Sequence, residues 1–164
     1  MGIPGSSSLP QLGIEDIDLA NQYGNEYMAD YRQTIHVYDG IQQVLTTLKE
    51  RSITTGVVTS KTYHEYQNDF VPFGLANDLK YMVCADDTRL HKPNPDPLLQ
   101  FLQISEASAE SSIYIGDTIY DYECARDEGM DFGLALWGCK HPDRIPAKYK
   151  FEHPMDVLSL LNSQ

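Results

Sequence analysis

Apolar residues in this chain recur with two different periods, and the pattern is most regular after residue 38. Before it, residues 14–33 place Ile17, Ala20, Tyr23, Tyr27 and Met28 near one helical face, with Gly24 interrupting the run. Ile41, Val44, Leu45 and Leu48 then line a second helix, for which Asp39 and Gln42 have capping-box spacing. Short runs of β-branched and aromatic residues follow at 54–59, 81–84, 112–115 and 132–137, with a weaker one near Tyr149. Between them lie three helical stretches. Thr62 and Glu65 box the first, Pro95 opens the second, and the third runs from Tyr120 to Met130 with Gly129 closing it. Residues 155–161 form a last helix, and residues 1–13, rich in Gly, Pro and Ser, read as a loop. Strands alternating with helices predict an α/β fold, a doubly wound parallel sheet covered on both faces.

The composition narrows this picture. The chain has 164 residues, 41% hydrophobic and 22% charged, enough for one domain with a real core. A formal net charge of −12 argues against a nucleic-acid backbone or an anionic membrane as partner, though a local site can still hold a small phosphorylated molecule. No apolar run reaches membrane-spanning length and no signal peptide is visible. Cys84, Cys124 and Cys139 lack C-x-x-C spacing, and two of them fall inside apolar elements, which suits packed, reduced thiols in a cytoplasmic setting.

In a doubly wound sheet, ligands bind beyond the carboxyl ends of the strands, so chemistry is sought there. Three stretches qualify. Gly116-Asp117-Thr118-Ile119-Tyr120-Asp121 sets two carboxylates on a strand-to-helix turn, a hard-oxygen pair suited to Mg²⁺. The plainer reading is that Thr118 caps the helix and Asp121 is its capping-box partner. Val57-Val-Thr-Ser60 offers a hydroxyl and backbone N–H groups to an anion, or simply a capped turn. In His91-Lys-Pro-Asn-Pro-Asp-Pro97, alternate prolines predict an extended backbone that fixes where Lys92 points.

The Thr after a hydrophobic strand, the Lys of K-P-x-P-x-P and then G-D-T-x-x-D, in that order, resemble the haloacid dehalogenase (HAD) superfamily, closest to its phosphoglycolate-phosphatase-like branch. Cys84-Ala-Asp-Asp-Thr88 and Phe132-Gly-Leu-Ala-Leu-Trp-Gly138 are similar to that branch too. A receiver domain shares the residue types, but its acids precede its Thr and Lys. The resemblance implies a Rossmann-like HAD core over residues 37–164, with residues 1–36 the remnant of a helical cap. It implies Mg²⁺-dependent hydrolysis of a small phosphomonoester. Thr59 and Ser60 would hold the phosphoryl group, Lys92 would neutralise it, Asp117 would bind Mg²⁺, and Asp121 would hold a metal water or orient Lys92.

One part of the pattern is missing. The family's nucleophile lies in D-x-D-G-T/V on a first strand ahead of the cap, and no such motif is present. Val37-Tyr-Asp-Gly-Ile41 imitates it with Val37 at the nucleophile position, so Asp39 reads as a helix cap. With that central strand absent, its two neighbours should face a gap about 9–10 Å wide. Either those neighbours close up, or something else fills the slot, or the chain is a fragment of a longer protein. The expectation is a phosphatase-type domain without its nucleophile segment, catalytically dead or nearly so as an isolated chain. The alternative is a non-catalytic relative that binds phosphate, Mg²⁺ or a partner.

Overall fold

The computed structural model describes residues 2–162. Residues 5–12, expected as loop, coil into a short helix α1 (Gly5–Ser8) and a 3₁₀ turn, Pro10–Leu12. Pro10 stands where its missing N–H costs nothing, and Gly13 ends the turn at φ 77°. The helix α2 (Ile17–Tyr31) runs unbroken through Gly24. Next comes α3 (Ile41–Glu50), whose start corrects the expected Asp39–Gln42 box. Its N-cap is Gly40, at φ 89°, with no side-chain cap. The Ile41 N–H goes to Tyr38 O, and Gln42 Nε2 donates to Asp78 Oδ2 at 2.7 Å instead of turning back on the helix.

The core then alternates as expected: β1 (Gly56–Val58), α4 (Tyr63–Asp69), β2 (Tyr81–Val83), α5 (Asp96–Ser105), β3 (Ile113–Gly116), α6 (Ile119–Glu128), β4 (Asp131–Ala135) and β5 (Tyr149–Phe151). The Thr62–Glu65 box is fully formed. Gly129 closes α6 at φ 75°. The closing segment, Pro154–Asn162, is a long 3₁₀ helix.

All pairings are parallel, but the strands fall into two sheets, β1–β2 and β3–β4–β5. The ladder is broken between β1 and β3, where the central strand was expected to be missing. Side chains cross this slot in place of backbone. The Tyr114 hydroxyl on β3 lies 3.2 Å from Val58 O on β1. An otherwise unpaired strand carbonyl thereby meets a donor, which matters because buried backbone groups without partners are costly.

Two apolar clusters cover the sheets. Leu98 and Leu102 of α5 and Cys124 and Ala125 of α6 pack with Phe132 and Leu134 of β4. Val44 of α3 meets Phe151 and Val157 in the other cluster, with Ile115 and Trp137 at its edge. Helices on both faces hold the strand ends in fixed relation, which is what the fold contributes to a site.

The cysteines are all free thiols, Cys84 and Cys124 buried and Cys139 partly exposed. Burial, aided by the negative charges of Asp87 and Asp86, pushes Cys84 up to about 11, and burial pushes Cys124 up to about 12. Iodoacetamide at pH 8 should therefore modify Cys139 alone in the folded chain, the other two reacting only in denaturant. Peptide mapping that finds Cys84 or Cys124 labelled at a comparable rate would contradict this packing.

Candidate functional site

The carboxyl ends of the strands are organised by the β3–α6 turn. A Cβ on Gly116 would lie 2.5 Å from the Asp121 Cβ, so only glycine lets the first turn of α6 fold back over the strand end. Thr118 is the N-cap, accepting the Asp121 N–H at 3.3 Å. Asp121 Oδ2 in turn accepts the Thr118 N–H at 3.0 Å and its hydroxyl at 2.6 Å. The capping box is real.

It is also only half of what Asp121 does. Its other oxygen, Oδ1, accepts from Lys92 Nζ at 2.7 Å, the two side chains only 8% and 5% exposed. Burial raises the Asp121 carboxyl, but the Lys92 charge and the hydrogen bonds from Lys92 and Thr118 outweigh it and hold the group below the usual Asp value. With both oxygens engaged, Asp121 is placed to orient Lys92.

Lys92 does not reach this position on extended backbone. The stretch turns, with both the Asn94 N–H and its side-chain amide donating to His91 O at 2.9 and 3.0 Å. Asn supplies a local partner that competes with extended structure, and the prolines tolerate it.

Tyr114 was read in the sequence only as a strand former. Its hydroxyl accepts from Lys92 Nζ at 3.1 Å and lies 3.0 Å from Asp121 Oδ1 and 3.2 Å from Val58 O, so its one proton serves either acceptor. Burial, reinforced by the negative Asp121, raises this phenol well above its ordinary value. The only sequence signal for it was an aromatic bearing a polar tip in a strand flanking the missing one.

Thr59 follows Val58 directly, so the same link brings it to the Lys92 end of the slot. Its N–H continues the ladder to Val83 O at 2.9 Å and is not available to an anion, contrary to the expected cluster of open amides. Its hydroxyl oxygen accepts from the Lys61 N–H at 3.2 Å, which leaves its own proton to donate. The Ser60 hydroxyl donates to Gly2 O at 2.9 Å, and a Cβ on Gly2 would sit 2.6 Å from Thr118 Oγ1. The N-terminal residues thus lie between the ends of β1 and β3.

Asp117 occupies the turn itself. A Cβ on Gly138 would lie 2.8 Å from its Oδ2, so the loop after β4 makes room for the carboxylate by having no side chain there. Burial, then the negative charge of Asp121, raises the Asp117 carboxyl, and Lys92 offsets this only in part. That local deficit of positive charge suits a cation. Among the described residues no group of three or more His, Cys, Asp or Glu could hold a metal ion.

With this geometry in view, comparison with known proteins is direct. The haloacid dehalogenase-like hydrolase family matches residues 1–135. The chain belongs to that family. An N-acetylmuramic acid 6-phosphate phosphatase of Pseudomonas aeruginosa is 30% identical over 131 residues, covering 76% of this chain and 57% of that protein. The pyrophosphatase PpaX of Halalkalibacterium halodurans is 24% identical, covering 98% of this chain and 77% of its own length. A Lactobacillus plantarum crystal structure, provisionally named a phosphoglycolate phosphatase, superposes with a TM-score of 0.88 at 28% identity, covering 97% of this chain and 78% of that one. The chain thus spans little more than half the length of the Pseudomonas relative. HAD-type phosphatases are among its homologues, and the HAD-like α/β fold is shared with its structural neighbours.

The Lys92–Asp121 pair makes a sharp stability prediction. Removing one member of a buried pair strands the other charge, so Lys92→Met or Asp121→Asn alone should cost about 3–5 kcal/mol in urea unfolding. The double variant Lys92→Met/Asp121→Asn should cost less than the sum of the two. The pH dependence has a defined sign. Stability from the lowered Asp121 is present above the ordinary Asp value of 3.8 and is lost as pH falls through its lower folded-state value. Additive single costs would show that the two groups do not act as a pair.

Proposed function

We propose that this chain carries the phosphate- and metal-binding half of a phosphomonoester hydrolase of the HAD type. The observation that carries the reading is the buried Lys92, pinned by Asp121 and Tyr114 at the mouth of the slot between β1 and β3. A cation fixed in a largely dry site can neutralise a phosphoryl group with little reorganisation, the main requirement of phosphoryl transfer. Thr59 would donate its remaining hydroxyl proton to a phosphoryl oxygen from the β1 side, with Ser60 beside it. Lys92 would face the same group from the β3 side, and Asp121 would act through Lys92. Residues 1–36 would be the part of a cap nearest the site, and buried reduced thiols fit a cytoplasmic setting.

Asp117 is the residue suited to Mg²⁺, its raised carboxyl and the room left by Gly138 supporting that role. When bound, the ion would supply charge neutralisation for the phosphate. One protein carboxylate with waters makes a weak Mg²⁺ site, since the ion keeps its hydration and needs several hard ligands.

No residue of this chain is offered as nucleophile. Asp39 is exposed, stands two residues before α3 and makes no cap. Loss of general acid–base help alone costs about 10²–10⁴ in rate, and loss of the nucleophile removes the covalent route.

The 164-residue polypeptide should therefore give no Mg²⁺-dependent release of nitrophenol from p-nitrophenyl phosphate above a buffer blank. Fusion of a D-x-D-G-T strand and the first cap helix ahead of it should create turnover that Lys92→Met and Asp117→Asn both abolish. Calorimetry should find Mg²⁺ binding that is weak and lost in Asp117→Asn. Turnover by the unfused chain that disappears in Asp39→Asn would overturn this account.

A further inference from the structure

The Lys92 ammonium has three N–H bonds to place, and the fold gives fixed acceptors to two of them. One goes to Asp121 Oδ1 at 2.7 Å and one to the Tyr114 hydroxyl at 3.1 Å. With two directions of a tetrahedral ammonium set, the third is set as well. Asp121 alone does not achieve this, because an ammonium held by a single acceptor still turns about that contact.

Tyr114 is suited to the task by what holds it. It stands opposite Phe132 in the β3–β4 ladder, the two rings 6.3 Å apart, and Tyr122 of α6 meets Phe132 edge-on at 5.7 Å. Phe132 is a buried member of the core cluster against which Tyr114 packs. A tyrosine has only two side-chain torsions to fix, so one braced in this way presents its hydroxyl as a rigid point. The Lys92 ammonium also lies 5.7 Å from the centre of the same ring, within the range of cation–π attraction.

The hydroxyl has a second connection. Its 3.2 Å contact with Val58 O reaches the last residue of β1, and Thr59 comes next in the chain. One oxygen therefore touches the cation on one side of the slot and the strand leading to Thr59 on the other. We propose that Tyr114 is the positioning residue of the anion site, setting both the direction of the third Lys92 N–H and the span between Lys92 and Thr59. Asp121 contributes to the first of these, and the Tyr114 hydroxyl joins the two. The inference rests on the phosphate site proposed above, since Tyr114 acts through Lys92 and the end of β1 and has no contact of its own with the anion.

NMR on the 164-residue chain reads the two parts separately, through the Lys92 ammonium signal and through titration with inorganic phosphate. The wild-type ammonium should give a slowly exchanging nitrogen–proton correlation. Tyr114→Phe should broaden it away and weaken phosphate binding about tenfold, the worth of one well-made hydrogen bond. Thr59→Val should weaken phosphate binding and leave the ammonium signal in place. Leu102→Val loosens the same core cluster without touching either group, and should change neither readout. Tyr114→Phe with unchanged phosphate affinity overturns the positioning role, whatever its effect on stability. A Thr59→Val variant that still weakens phosphate binding then leaves the anion site standing. Should Tyr114→Phe fail to fold, the wild-type hydroxyl proton decides the matter. It should exchange slowly and show nuclear Overhauser contacts to the Lys92 Cε hydrogens, and their absence overturns the assignment. Failure of the wild-type chain to bind phosphate overturns the anion site and the part of Tyr114 in it together.

Discussion

The buried contact between Lys92 and Asp121 is the constraint on which the rest of this structure depends. An ammonium and a carboxylate taken out of water need both good geometry and further hydrogen bonds to offset their desolvation. Here each has them. Asp121 receives Lys92 on one oxygen and the Thr118 amide and hydroxyl on the other, and Lys92 has Tyr114 as a second acceptor. The pair ties α6, the loop before α5 and strand β3 together at one point. Gly116 is the sequence condition for it, since any side chain there would collide with Asp121.

The second constraint is the slot. Two parallel sheets stand with β1 and β3 facing each other and no ladder between them. Unsatisfied strand edges invite pairing with another segment. In this chain part of that demand is met by Tyr114, whose hydroxyl reaches Val58 O, while the Ser60 side chain ties the N-terminal segment to the loop after β1 through Gly2 O. These are single contacts where a strand would supply a ladder residue by residue.

Most of the fold was legible because its signals are local. Period-2 runs flanked by caps and glycines gave the strands, and the Thr62 and Thr118 boxes gave helix starts that formed as read. The failures share a cause. Asp39 has capping spacing, but Gly40 takes the cap by its left-handed backbone and Gln42 finds Asp78, thirty-six residues away in sequence. The prolines around Lys92 predict extension, but the Asn94 amide closes a turn. In both places a partner invisible to spacing rules decided the outcome. The site followed the same logic. The motifs singled out Thr59, Lys92 and Asp121, of which the structure joins Lys92 to Asp121, whereas Tyr114 was missed because nothing in a strand pattern says that its hydroxyl must cross a gap.

The two acids of the β3–α6 turn show how one short motif yields two different groups. They are four residues apart, share a turn and are both mostly removed from water, yet their carboxyls shift in opposite directions. Burial raises each. For Asp121 the adjacent ammonium and the cap donors more than reverse that rise. For Asp117 the negative charge of Asp121 adds to it, and Lys92 reverses the rise only in part. Environments that drive paired titratable groups apart are the usual mark of divided roles. The division here runs between an acid whose charge is already matched inside the fold and one whose charge is not. Asp121 completes a structural pair that aims Lys92. Asp117 is the acid whose charge the fold does not match, and the one proposed above for Mg²⁺.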